Sequence, residues 1–216
     1  MVGAEEPANR GRVADTLENH WTKPTGPAGY YWFLTFESSA ALHSLTEECQ
    51  GSIDISCFDL VPREGLHLTL ERIARPGEAS ADHLAAVEAR ARKALCGLSP
   101  FELRIGVLRR VPSAIIFDVS PVARVSELQS RLRAATMNGS IDPSDKSPRP
   151  VPHITLAYCN SDGPVPAGLD VDLARTAGVE RVVHSKVVEV VMVFLERGRS
   201  SYSWERLARI PLAGLD

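Results

Sequence analysis

The residues best suited to chemistry in this chain are two histidines, each followed two positions later by a threonine: Leu66-His67-Leu68-Thr69-Leu70 and Pro152-His153-Ile154-Thr155-Leu156. Histidine is the side chain whose unperturbed pKa lies near neutrality, so a pair can divide the work of taking a proton and giving one. Opening a cyclic phosphate, or moving a phosphoryl group between hydroxyls, needs such a pair. One group deprotonates the nucleophile and the other protonates the leaving oxygen. A threonine hydroxyl can donate a hydrogen bond to the non-bridging oxygens, where charge accumulates. Nothing in this chemistry requires a metal ion, and no cofactor is expected.

The spacing indicates which element carries these groups. Side chains on a strand alternate between faces. Leu66, Leu68 and Leu70 would enter a core while His67 and Thr69 face the other way. Ile154 and Leu156 against His153 and Thr155 repeat the arrangement. A regular first strand would also bring Glu71 to the histidine face, where a carboxylate repels phosphate. The alternatives are that Glu71 lies past the strand end, or pairs with an arginine such as Arg72 or Arg149. One such pentad is a weak signal, since a histidine on a strand face needs no function. Two copies in equivalent surroundings are far harder to produce by chance.

The surroundings are equivalent in order. A strand over 30–37 and a helix over 39–49 precede the first motif; a strand over 114–119 and a helix over 121–137 precede the second. This strand–helix–strand order suggests a weak internal duplication. A further helix is expected from Ser80 or Asp82 to about Leu95, with Leu84, Val87, Ala91 and Leu95 on one face. FELRIGVL and PHITLAY read as strands, KVVEVVMVFLE as the strongest strand of the chain, and YSWERLARIPL as a last one. A short helix is expected over 170–176 and a polar loop over 138–150. Residues 1–27 read as a polar, partly disordered arm in which Trp21 is the exception, and 28–216 as a single domain.

Composition bounds the partners. The 216 residues fit one domain or two lobes sharing a core, and a net charge of −3 argues against a protein that coats long nucleic acid. A small nucleotide or one RNA end remains compatible, and a monomer is expected. The four cysteines (Cys49, Cys57, Cys96, Cys159) are scattered without metal-type spacing, and no run is long and apolar enough to span a membrane. A cytoplasmic protein with free thiols is expected. His20, His43, His83 and His184 lack a threonine partner, although His184 begins a strand that could approach the site. Trp21, Tyr31 and Tyr202 are candidates to stack on a nucleobase, with core packing or cover of a cleft edge as the plainer reading. Arg149 and Lys146 lie in a loop that could reach a phosphate or could simply be solvated.

Paired His-x-Thr-Leu motifs on strands resemble the 2H phosphoesterase superfamily, and within it the bacterial 2′-5′ RNA ligase-like or cyclic phosphodiesterase-like branch. LHLTLERI after a proline-containing loop, PHITLAYCN before a polar turn, and the closing Tyr202-x-Trp204 strand extend the resemblance over roughly 18–214. It implies an α+β, bilobal fold: two pseudo-symmetric lobes of antiparallel sheet plus helices around a central cleft, each supplying one His-x-Thr pair. It also implies that His67 and His153 are the acid–base pair and Thr69 and Thr155 the phosphate ligands, without fixing which histidine is the base. The implied substrates are 2′,3′-cyclic phosphates or 2′-5′ linkages on RNA ends or small nucleotides, with ligation as the reverse reaction. Two other readings are a nucleotide or RNA-end binding module of the same fold and a divalent-metal hydrolase site built on the two histidines.

Overall fold

Alternating and continuous apolar runs resolve into two antiparallel sheets in a computed structural model that describes residues 15–22, 28–53, 56–137, 151–169 and 181–213. In chain order the elements are β1 (Thr16–Leu17), β2 (Gly29–Thr35), α1 (Ala40–Gln50), β3 (Phe58–Leu60), β4 (His67–Ala74), α2 (Ala81–Leu95) and β5 (Phe101–Val111). There follow β6 (Ala114–Ser120), α3 (Val122–Met137), β7 (His153–Cys159), β8 (Gly163–Pro164), β9 (Val183–Val187), β10 (Glu189–Arg197) and β11 (Tyr202–Pro211). One sheet has four strands in the order β11-β10-β2-β4, the other five in the order β3-β7-β6-β5-β9, and β1 pairs with β8.

The helices form where apolar residues recur at helical spacing. Val87, Ala91 and Leu95 of α2 and Val125, Leu128, Leu132 and Ala135 of α3 are all buried. Ser80 caps α2 by accepting the His83 N–H at 3.2 Å. The helices cross between the halves. α1, which follows β2 of the four-stranded sheet, packs on β7 and β9 of the five-stranded one. α3, which leads into β7, packs on β4, and α2 lies against α3 and β11. Each motif strand therefore pairs with the strand before its helix, β4 with β2 and β7 with β6, while the helix between them covers the other lobe.

A continuous core lies between sheets and helices, with Trp32, Leu34, Leu68, Leu70, Phe117, Ile154 and Leu156 almost wholly buried. A smaller apolar cluster, Tyr31, Phe33, Val191, Val193 and Leu195, occupies the other face of the four-stranded sheet. That face looks into the cleft.

Some expectations need correction. KVVEVVMVFLE is not one strand: the chain breaks at Val188, which is 46% exposed, and hops from β9 in one sheet to β10 in the other. Valines stand on both sides of the break (Val187, then Val190 and Val191), so strand propensity does not mark the hop. Within the expected arm, residues 15–22 are packed, with Leu17 buried; residues 1–14 and 23–27 lie outside the described residues. So do the loop over 138–150, with Lys146 and Arg149, and the short helix over 170–176. The four cysteines are free, Cys49 and Cys159 buried. No described helix is long and apolar enough to cross a membrane.

Candidate active site

His67 opens β4 and His153 opens β7, and each ring is fixed by the carbonyl two residues before it. His67 Nδ1–H donates to the Gly65 oxygen (2.8 Å) and His153 Nδ1–H to the Val151 oxygen (2.7 Å). A carbonyl can only accept, so both Nδ1 atoms carry the proton and both Nε2 atoms are left for the cleft. Phe33 stacks on the His67 ring at 4.3 Å between centroids, and Trp204 meets it edge-on at 5.1 Å. This enclosure pushes the His67 pKa down to about 4, chiefly by desolvation and further by the nearby His153, with the Gly65 hydrogen bond opposing. Asp118, the strand partner of His153, is held by Arg109 at 2.9 Å.

The two histidines line one cavity of about 180 Å³ together with Thr69 and Thr155. The strand alternation expected for both motifs thus brings all four groups to one surface. Immediately after each threonine it fails, in the same way twice. Phe33 pairs with Thr69 but Trp32 with Glu71, so Leu70 is an extra residue; Ile116 pairs with Thr155 but Ile115 with Ala157, so Leu156 is another. These β-bulges switch the faces of the residues beyond them. Glu71 turns to the helix side, where it is buried and paired with Arg133 of α3 at 2.9 Å. The carboxylate is therefore turned away from the cleft and pairs with Arg133, while Arg149 lies outside the described residues. The next residues emerge instead: Arg72 beside Tyr31, to whose phenol it hydrogen-bonds, and Tyr158, which lines the cavity and hydrogen-bonds with Thr155.

The remaining cavity wall is aromatic and apolar: His20, Tyr31, Tyr158, Leu195 and Tyr202. Burial raises the pKa of Tyr31 and of Tyr202 and pushes Tyr158 up to about 12, so all three are neutral phenols. His20 Nε2 and the Tyr202 hydroxyl are 2.5 Å apart, and the His20 ring lies 4.3 Å from that of Tyr158. Trp21 sits behind this wall. Its indole N–H donates to Asp59 at 2.8 Å, and Tyr158, Tyr202 and the Arg197 guanidinium surround its ring. Sequence reasoning set His20 aside and missed Tyr158, although both Arg72 and Tyr158 lie five positions after a motif histidine. His43 bonds the Phe36 carbonyl, and His184 pairs with Glu102 at the far edge of the five-stranded sheet. Among the described residues, no three His, Cys, Asp or Glu side chains are placed to share a metal ion.

The sequence model of the 2′-5′ RNA ligase superfamily matches residues 36–176, which span both His-x-Thr motifs. The chain belongs to this superfamily. Its solved relatives share the 2H phosphoesterase fold. The Thermus thermophilus protein TT0787 superposes with a TM-score of 0.62 at 20% identity, covering 86% of this chain and 98% of its own. E. coli LigT in its apo form gives 0.62 at 17%, with 87% and 99% covered, and a protein described as a phosphoesterase gives 0.59 at 18%, with 86% and 99% covered. No curated protein sequence matches the chain. At these identities the superpositions carry the fold; the superfamily membership supports an enzyme of phosphoester chemistry.

Proposed function

We propose that this superfamily member is a phosphodiesterase acting on 2′,3′-cyclic phosphates, or on 2′-5′ linkages, of RNA ends or small nucleotides. The observation that carries the reading is the pair of Nε2 atoms, each left available by an Nδ1–H bound to a carbonyl, in one cavity with two threonine hydroxyls. That LigT was solved with 3′-AMP and with phosphate agrees with a phosphate-sized centre in such a fold.

The roles follow from surroundings. His67, neutral at pH 7, is the general base: its Nε2 takes a proton from water as the water oxygen bonds to phosphorus. His153, in its protonated form, gives a proton to the ribose oxygen as the P–O bond to it breaks. The product is a phosphomonoester with one ribose hydroxyl released, and proton exchange with solvent resets both rings. Thr69 and Thr155 donate to the non-bridging oxygens. Ligation follows the same path with a ribose hydroxyl in place of water: His67 takes its proton as its oxygen bonds to phosphorus, and His153 protonates the ribose oxygen released from the cyclic phosphate.

One assay tests the reading. Wild type, His67→Ala and His153→Ala are given 2′,3′-cyclic nucleotides and a 2′-5′ dinucleotide, with and without EDTA. Turnover by wild type should survive EDTA and fall by about 10²–10⁴-fold in each variant. Loss on EDTA treatment would point to a metal site, and binding without turnover by wild type would leave a binding module.

A further inference from the structure

The segment from Asp15 to Thr22 lies outside the stretch matched by the superfamily model, which begins at residue 36. It nonetheless bridges both lobes. On the side of the five-stranded sheet, the Glu18 N–H donates to the Pro112 carbonyl and the His20 N–H to that of Cys159, each at 2.8 Å, and the Trp21 indole reaches Asp59 of β3. On the other side, Arg197 of β10 donates to the Trp21 carbonyl at 2.6 Å and Tyr202 of β11 meets His20. The His20 ring thus packs against both Tyr158 of one sheet and Tyr202 of the other, which meet each other edge-on at 5.2 Å between centroids.

We infer that this strap closes one end of the cleft with His20, and thereby restricts the site to a phosphate bearing a single nucleoside. The position of the phosphate in this inference rests on the proposed phosphodiesterase function. With phosphate on the two His-Thr pairs, the rest of the same cavity is walled by His20, Tyr31, Leu195 and Tyr202. A nucleoside attached to the phosphate lies against those rings, the kind of surface on which an unpaired base stacks. A second nucleotide beyond it would have to pass through the hydrogen bond between His20 and Tyr202. The substrate class is then a cyclic mononucleotide, and His20 is a specificity-determining residue rather than an acid or base.

The test is calorimetric binding of adenosine 3′-monophosphate and of a dinucleotide ending in the same 3′-phosphate, run beside turnover of the matching 2′,3′-cyclic compounds. Wild type should prefer the mononucleotide by about tenfold or more. His20→Ala should bring the two affinities within about threefold, and His20→Phe, which keeps a ring against the two tyrosines, should retain the preference. For the cyclic mononucleotide His20→Ala should raise KM with little change in kcat, a split that general loss of structure would not give. Equal binding of both probes by wild type, an unchanged ratio in His20→Ala, or binding of neither probe would overturn the proposal. A preserved preference without turnover would overturn the proposed reaction and support the closed end; turnover with equal affinities would do the reverse.

Discussion

Protonating His67 means forcing a charge into a space closed by the face of Phe33 and the edge of Trp204. The ring takes up a proton near 6.5 in the unfolded chain and only near 4 in the folded one. Between those values the unfolded state holds more protons, so stability falls as pH drops through that window and the loss is complete below about 4. The full loss is roughly 3 kcal/mol. Urea unfolding at pH 7 and pH 4 should show it in wild type, and His67→Asn should lose less over the same interval. For the proposed reaction, the acid limb of kcat/KM should lie well below 6.5. A limb at the ordinary histidine value would remove His67 as the base. Thr69→Val and Thr155→Val keep the shape and delete the hydroxyl, and each should lower kcat/KM on the order of a hundredfold with little change in Tm. The four groups were legible because alternation on a strand is a rigid rule. Arg72 and Tyr158 were hidden because a bulge breaks that rule without leaving a mark in residue type.

The element that aims His67 is the tight 3-10 turn Arg63–Gly65 ahead of β4, whose last carbonyl fixes the imidazole. Gly65 is there for space: a Cβ would stand 3.0 Å from Val61 Cγ1 and 3.2 Å from Pro62 Cδ. Gly65→Ala should cost about 1–3 kcal/mol of stability through overpacking. It should also lower kcat, because the displaced carbonyl tilts the ring. Val61→Ala in the same chain should restore both, as read by thermal unfolding and steady-state kinetics. Recovery of Tm without recovery of kcat would separate the turn from the ring. At this scale the helices and long strands followed from periodicity, down to Val125, Leu128, Leu132 and Ala135 inside α3. The hop at Val188 did not, since valines with strand propensity stand on both sides of the break. Neither did β1 or β8, two residues each and held by pairing between distant parts of the chain.

For the molecule as a whole, the exchange of helices between lobes is the dominant fact. Each half of the chain lends its helix to the other sheet, and the buried pair Glu71–Arg133 joins β4 to α3 across that exchange. Neither lobe has a complete core without the other half of the sequence. Unfolding should therefore be a single transition, with tryptophan fluorescence and far-UV circular dichroism coinciding; separated transitions would contradict the exchange. Arg133→Met leaves a buried carboxylate without this partner and should destabilise by about 3–5 kcal/mol, while Arg133→Met combined with Glu71→Leu should recover most of that loss. Order of elements along the chain suggested the duplication, but no local pattern reports which sheet a helix covers. That choice is made by long-range packing.

The paired bulges also bear on product geometry. Two His-Thr pairs alone would accept a tetrahedral phosphate in either of two opposed poses. The positions that emerge after the bulges differ, a cationic Arg72 in one lobe and a phenolic Tyr158 in the other, so the two poses are not equivalent in energy. For the proposed reaction the consequence is regiochemical. A cyclic phosphate should open toward one ribose oxygen in preference to the other, and phosphorus NMR of the product should show one isomer dominant. Exchanging the pair, Arg72→Tyr with Tyr158→Arg, should shift that ratio toward the other isomer.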